Sequence, residues 1–280
     1  MKRPPTSPPN GAANAADARR RVAERLWKDH QKQLHRARLR PASGRVHDLR
    51  IGTRRLLAHL EIVSLLSSSG PSRRVRRRLK RLLDATGPAR DAHVQLRLFE
   101  RLFPREPHPG GRQFHRTLKA RERRLTRKLG EKLKRHASKL RRTKPRHLFR
   151  PLKEKGSCVG AARRQALQRA IRRVLERRRT TGRDLTRNRH RLRVALKKLR
   201  YLAEIMSSAT PATVGRLRDI QASLGECHDF DLLLEHLHEY AARHPATEVW
   251  LQARTSRLRQ YQRRLQPQSC LRVSEIRAIG

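Results

Sequence analysis

Acidic residues are scarce in this chain. Its 280 residues carry 23 Asp and Glu against 71 Lys and Arg, a formal net charge of +48. Arginine supplies 57 of those cations and lysine 14. Self-repulsion at such a charge disfavours a compact state unless an anion neutralises it, which argues against an ordinary enzyme for small neutral substrates. Aromatic residues are few, at 4%. Single-stranded nucleic acids are held by stacking bases on aromatic rings, so this scarcity speaks against that class. Cysteine occurs only at Cys158, Cys227 and Cys270, far apart and odd in number. No disulfide framework or zinc spacing results, which fits a reducing compartment. The longest apolar stretch, near Ile62–Leu66, is far short of a membrane span. The first residues, MKRPPTSPPNGAANAAD, contain no apolar run of the kind a secretory signal needs. An intracellular, cytoplasmic protein with no membrane partner is expected.

What the chain does contain is helical periodicity. Apolar residues recur at spacings of three and four, as in Val75, Leu79, Leu82, Leu83 and Leu167, Ile171, Val174, Leu175. Period-two runs of β-branched residues are missing. The fold class is therefore all-α. Breakers predict helices over 17–39, 45–67, 72–86, 88–103 and 112–142, then near 160–180, 184–207, 211–224, 226–243 and 246–265. The expected organisation is a disordered leader (1–16), a first helical half (17–145), a linker (146–159), a second half (160–266) and a tail (267–280). Gly87 and Gly225 read as left-handed helix caps, with Pro88 opening the next helix. Asp91 and Asp229 then fall in first turns, as caps or as partners that orient an arginine. Arg90 and His228 share one slot beside them, at what would be an anion-attracting helix start.

The second half repeats the first. His47, Arg50, Arg54, Arg55 and Leu56 stand 143 residues before His190, Arg193, Lys197, Lys198 and Leu199. Glu61-Ile62 answers Glu204-Ile205, and the stretch from Ala85 to Asp91 answers that from Ser223 to Asp229. Two similar antiparallel bundles follow from this duplication. On a helical wheel His47, Arg50 and Arg54 share about 60° of arc, and Leu49, Leu56 and Leu60 lie opposite. His190, Arg193 and Lys197 repeat the stripe, with Leu192, Leu199 and Ala203 facing away. Arg55 and Lys198 flank it. A solvated face would mix Glu with its Arg to form ion pairs. These stripes leave the cations unpaired, so an anion is expected to complete them.

Guanidinium groups match phosphate oxygens, and His and Lys add point donors. The stripes contain no aromatics and few of the Asn and Gln that read base edges. They suit a polyanion without bases, or nonspecific contact with a nucleic-acid backbone. Histidines among guanidinium groups are biased towards neutral, and a bound phosphate reverses that bias, so binding should tighten as pH falls. Polyphosphatase or phosphotransferase chemistry would call for carboxylates holding a divalent cation, and no such cluster accompanies the stripes. Glu61 and Glu204 read instead as ion-pair partners of a neighbouring helix. The expectation is a noncatalytic protein with no cofactor and no metal.

The motifs His47-x-x-Arg50-x-x-x-Arg54-Arg55-Leu56, His190-x-x-Arg193-x-x-x-Lys197-Lys198-Leu199-Arg200-Tyr201 and Leu224-Gly225-Glu226-Cys227-His228-Asp229-x-Asp231 resemble those of the CHAD family, helical domains marked by histidines. The resemblance covers roughly residues 17–265. It implies two similar four-helix bundles with a basic cavity between them. It also implies binding of inorganic polyphosphate and, as in many bacterial members, recruitment to polyphosphate granules. The matching positions are His47, Arg50, Arg54, Arg55, His190, Arg193, Lys197, Lys198, Arg200 and His228, with Arg90 in the slot of His228. Lys80 and Arg218, each seven residues before a motif glycine, are added as partners. His93 stands where the family pattern usually has Asp, and Leu57 replaces the cation found at Arg200. No ExExK motif of a fused triphosphate-tunnel domain occurs. The alternative function is that of a sequence-nonspecific nucleic-acid-binding protein.

Overall fold

A computed structural model describes residues 10–67, 70–179, 185–206 and 210–265. The described residues form helices and connecting turns. In chain order they are α1 (Asn10–Leu39), α2 (Ser43–Leu66), α3 (Gly70–Leu102), α4 (Pro109–Arg141), the short α5 (Pro145–Leu148) and α6 (Pro151–Glu154), α7 (Gly156–Arg179), α8 (Leu185–Ala203), α9 (Pro211–Arg243) and α10 (Glu248–Leu265). A 3-10 turn at Pro245–Thr247 precedes α10. None of the described helices is long and apolar enough to cross a membrane.

Local chemistry explains several boundaries. Pro109 opens α4 behind His108, whose Nδ1 accepts from the Gly110 amide at 3.1 Å. Pro211 opens α9 behind Thr210, whose hydroxyl oxygen accepts from the Thr213 amide at 3.1 Å. The expected leader is in part helical. α1 starts at Asn10, because the Ala-rich run favours helix and Asp17 pairs with Arg20, Arg21 and Lys153. Residues 1–9 and the tail from 266 lie outside the described residues. The expected linker packs as α5 and α6 against α1, burying Leu148, Phe149 and Leu152.

The largest departure concerns α3 and α9. Gly87-Pro88 and Gly225-Glu226 do not end helices, and each lies inside one helix of 33 residues. No described glycine has positive φ, so neither acts as a left-handed cap. Pro88 has no N–H for the Asp84 carbonyl, a defect that ordinarily kinks or ends a helix. Burial holds α3 together across it, with Leu79, Leu82, Thr86 and Ala89 facing the core. Asp91 and Asp229 are consequently mid-helix residues, and neither they nor Arg90 and His228 stand at a helix N-terminus.

Two hydrophobic cores result, and neither follows a sequence half. The larger joins α1, α2 and the first part of α3 to α7, α8 and the first part of α9. Within it His30 of α1 donates to the Thr53 hydroxyl of α2 at 3.0 Å, because that hydroxyl gives its own proton to the Leu49 carbonyl at 2.6 Å. Burial lowers the His30 pKa to about 4, so the ring is a neutral core group. The smaller core gathers the far ends of α3 and α9 with α4 and α10, around Phe99, Phe103, Phe114, Phe230, Tyr240 and Trp250. Phe99 and Phe114 meet edge to face at 5.3 Å. The few aromatics are thus mostly spent on packing. Glu106 ties this end together, accepting from Trp250 Nε1 at 3.0 Å and from Arg254 Nε and Nη2 at 2.9 Å.

Candidate functional site

Between the two ends, α2 and α3 of the first half meet α8 and α9 of the second. The leucine faces of α2 and α8 go into the core: Leu49, Leu56, Leu60, Leu192 and Leu199 are all buried. The helical period then turns Arg50, Arg54, Arg193 and Lys197 away from the leucines and towards the junction with α3 and α9. A cationic cluster forms there, within protein rather than on an open face.

Arg50 reaches from α2 to α3. Its Nη1 donates to the Leu83 carbonyl at 2.9 Å and to the Thr86 hydroxyl at 2.6 Å. Burial, then Arg54, lowers its pKa to about 10. Burial lowers the Arg54 pKa, and the nearby buried phenol of Tyr201 partly offsets this. Arg90 crosses from α3 to α9. Its Nη1 donates to Asp229 Oδ1 at 2.9 Å and to Asp91 Oδ1 at 3.1 Å. Burial opposes its charge, and the carboxylates of Asp229 and Asp91 more than offset this, so its pKa is raised.

Arg193 is 7% exposed, and its buried Nε has no hydrogen-bond partner. Burial lowers its pKa, with Asp229 opposing and Arg90 adding to the shift. One turn on, burial and then Arg193, Arg54, Arg90 and Arg50 bring Lys197 down to about 6. His190 and His228 stand 5.1 Å apart, ring centre to ring centre. Burial, then Arg193 and His190, takes His228 to about 4. Burial, then Arg193 and Lys197, lowers His190. Five cationic side chains and two histidines therefore converge on two carboxylates, both of which are already bound to Arg90. The charge of the remaining cations is only partly offset.

The sequence matches the CHAD domain model over residues 22–238. The chain belongs to the CHAD family. A crystal structure of the CHAD domain from the plant Ricinus communis is similar in fold, with a TM-score of 0.64 at 21% sequence identity. The match covers 94% of this chain and 90% of that one. Among curated proteins nothing matches the sequence.

Seven of the positions singled out from the sequence meet in this CHAD cluster: Arg50, Arg54, Arg90, His190, Arg193, Lys197 and His228. The others do not. His47 is exposed one turn before Arg50, and none of its described contacts joins it to the cluster. Lys80 is exposed on α3. Lys198 is bound to Glu61 at 2.8 Å, and Arg76 pairs with the same carboxylate. Arg200 pairs with Glu204, donates to Gln221 at 2.9 Å and lies 4.2 Å from the centre of the Tyr201 ring. Arg55 and Arg218 line a separate groove of about 710 Å³, with Arg19, Arg163 and an apolar floor of Val22, Leu26 and Ile62. His93, the departure from the family pattern, faces Glu122 of α4 at 3.8 Å.

The expectation that Asp91 or Asp229 orients an arginine describes their geometry, whereas the capping alternative does not. Sequence reasoning missed Tyr201 as a partner of Arg54. Its place four residues after Lys197, on the helix that α2 packs against, was the available signal.

Proposed function

We propose that this protein binds inorganic polyphosphate, without turning it over, through the cluster of Arg50, Arg54, Arg90, Arg193 and Lys197 with His190 and His228 at its edge. Arg193 carries the reading. A guanidinium that is almost fully buried, beside other cations and with an unpartnered Nε, is strongly unfavourable unless an anion completes it. The family resemblance supports polyphosphate as the anion. A chain without bases also suits a cluster whose aromatic neighbour Tyr201 is buried by Arg54 and Arg200. Asp91 and Asp229 are committed to Arg90, which leaves them poorly placed to hold a divalent cation for hydrolysis. A cytoplasmic role at polyphosphate granules follows from the same reading.

Titration with polyphosphate of defined length tests this. Arg193→Gln with Lys197→Gln should weaken binding by at least about tenfold while helical content stays unchanged. These positions are better probes than Arg50, whose guanidinium also holds α3. Engagement of ~10 phosphates should give a log-log salt slope of roughly −7 to −9. Unchanged affinity in the double variant, or Mg²⁺-dependent phosphate release by the purified protein, would refute the proposal.

A further inference from the structure

α4 carries a second concentration of charge, remote from the central cluster. It packs on α1 and α3 through Phe114, Leu118, Leu129, Leu133 and Leu140. Twelve exposed cations cover the rest of its surface, against one exposed acid, Glu131, which pairs with Lys134 at 3.0 Å.

The arrangement of these cations is specific. At 3.6 residues per turn they fall into two rows. Arg112, Arg116, Lys119, Arg123, Arg127, Lys134 and Arg141 form one. Arg124, Lys128, Lys132, Arg135 and Lys139 form the other, roughly 140° around the helix. The crest between them points away from the buried leucines and carries Gln113, Ala120, Glu131 and Ser138. A single thread of phosphates could engage one row and would leave the other unpaired. A duplex offers two phosphate walls. Its major groove, ~12 Å wide, admits a helix ~10–12 Å across. Among the described residues the exposed large apolar ones are Val22, Leu39, Val194 and Val249, none of them on α4, so this face has nothing to insert into lipid.

We infer that the outer face of α4 is a docking surface for duplex nucleic acid, entering the major groove with one cationic row against each phosphate strand. The crest offers few base-reading side chains, Gln113 and an acid already paired with Lys134, so docking is largely nonspecific in sequence. The surface is independent of the central cluster, and the protein can hold a base-free polyanion and a duplex at once.

Fluorescence anisotropy with a labelled mixed-sequence duplex tests this against polyphosphate binding measured in parallel. Two triple variants are compared, Arg116→Ala/Arg123→Ala/Arg127→Ala and Lys128→Ala/Lys132→Ala/Arg135→Ala, with helicity checked by circular dichroism. Each should weaken duplex binding about tenfold or more and flatten its salt slope by roughly 2–3. Polyphosphate affinity should change far less in both. Arg193→Gln/Lys197→Gln should show the reverse pattern, so failure of the central-site reading is seen separately. A major-groove ligand should displace the protein from the duplex. Unchanged duplex affinity in either triple variant, equal loss for both polyanions, or displacement only by a minor-groove ligand would overturn the proposal.

Discussion

Arg90 of α3 holds Asp229 of α9 across the middle of the molecule, Nη1 to Oδ1 at 2.9 Å, with Nη2 reaching Oδ2 at 3.4 Å. The pair joins α3 to α9 within the cationic cluster. Asp229 thereby stands where a phosphate oxygen would be welcome, and it keeps one cation of the cluster satisfied when no polyanion is bound.

Asp229→Asn should separate these roles. Loss of a largely desolvated charge pair should lower the stability of the ligand-free protein by about 1–3 kcal/mol. Polyphosphate should bind at least as tightly, because Arg90 is released and a negative charge is removed. Thermal melts and binding titrations of the same preparation check both. Weaker binding with unchanged stability would show that Arg90 must be held by Asp229 to work.

Binding should take up protons. Burial and the surrounding arginines hold Lys197 near 6 and His228 near 4. A bound polyanion favours their charged forms. Affinity should therefore fall as pH rises above about 6, by up to about tenfold per pH unit for each proton taken up. Calorimetry near neutral pH in buffers of different ionisation enthalpy should report uptake of about one proton, chiefly at Lys197. His190, lowered by burial and then by Arg193 and Lys197, should respond in the same direction.

Lys197→Met should stabilise the ligand-free protein. Between about 6, where folded Lys197 titrates, and about 10.4, where the unfolded lysine does, the unfolded chain holds a proton that the folded one lacks. Stability from this group is fully present above that window and is lost as pH falls through it. Removing the amine should raise stability at neutral pH by at least about 1 kcal/mol, roughly 2–4 °C in Tm, and flatten its pH dependence. Melting curves across the window check this.

The ion pairs of α2 and α8 should be unequal. Repeat-related residues cross over: Lys198 binds Glu61 at 2.8 Å, and Arg55 approaches Glu204 at 3.7 Å. Lys198 and Glu61 are mostly covered, while the Arg55 side chain is 50% exposed. Double-mutant cycles should give a coupling of about 1 kcal/mol for Lys198–Glu61 and distinctly less for Arg55–Glu204.

The primary structure by itself determined the all-helical class, the leucine faces of α2 and α8, and the membership of Arg50, Arg54, Arg193 and Lys197 in one cationic stripe per helix. Those features rest on local periodicity, which a linear chain displays. The tertiary structure alone decided that α3 runs through Gly87-Pro88, because only packing around Leu82 and Ala89 and the reach of Arg50 to Leu83 and Thr86 hold it there. It alone decided which cations remain available. Lys198 and Arg200 are as basic as Lys197, yet Glu61 and Glu204 bind them. Lys197, a helical step away, is buried beside four arginines and is brought down to about 6. Charge in a sequence is a count, whereas a free charge depends on which neighbours the fold supplies.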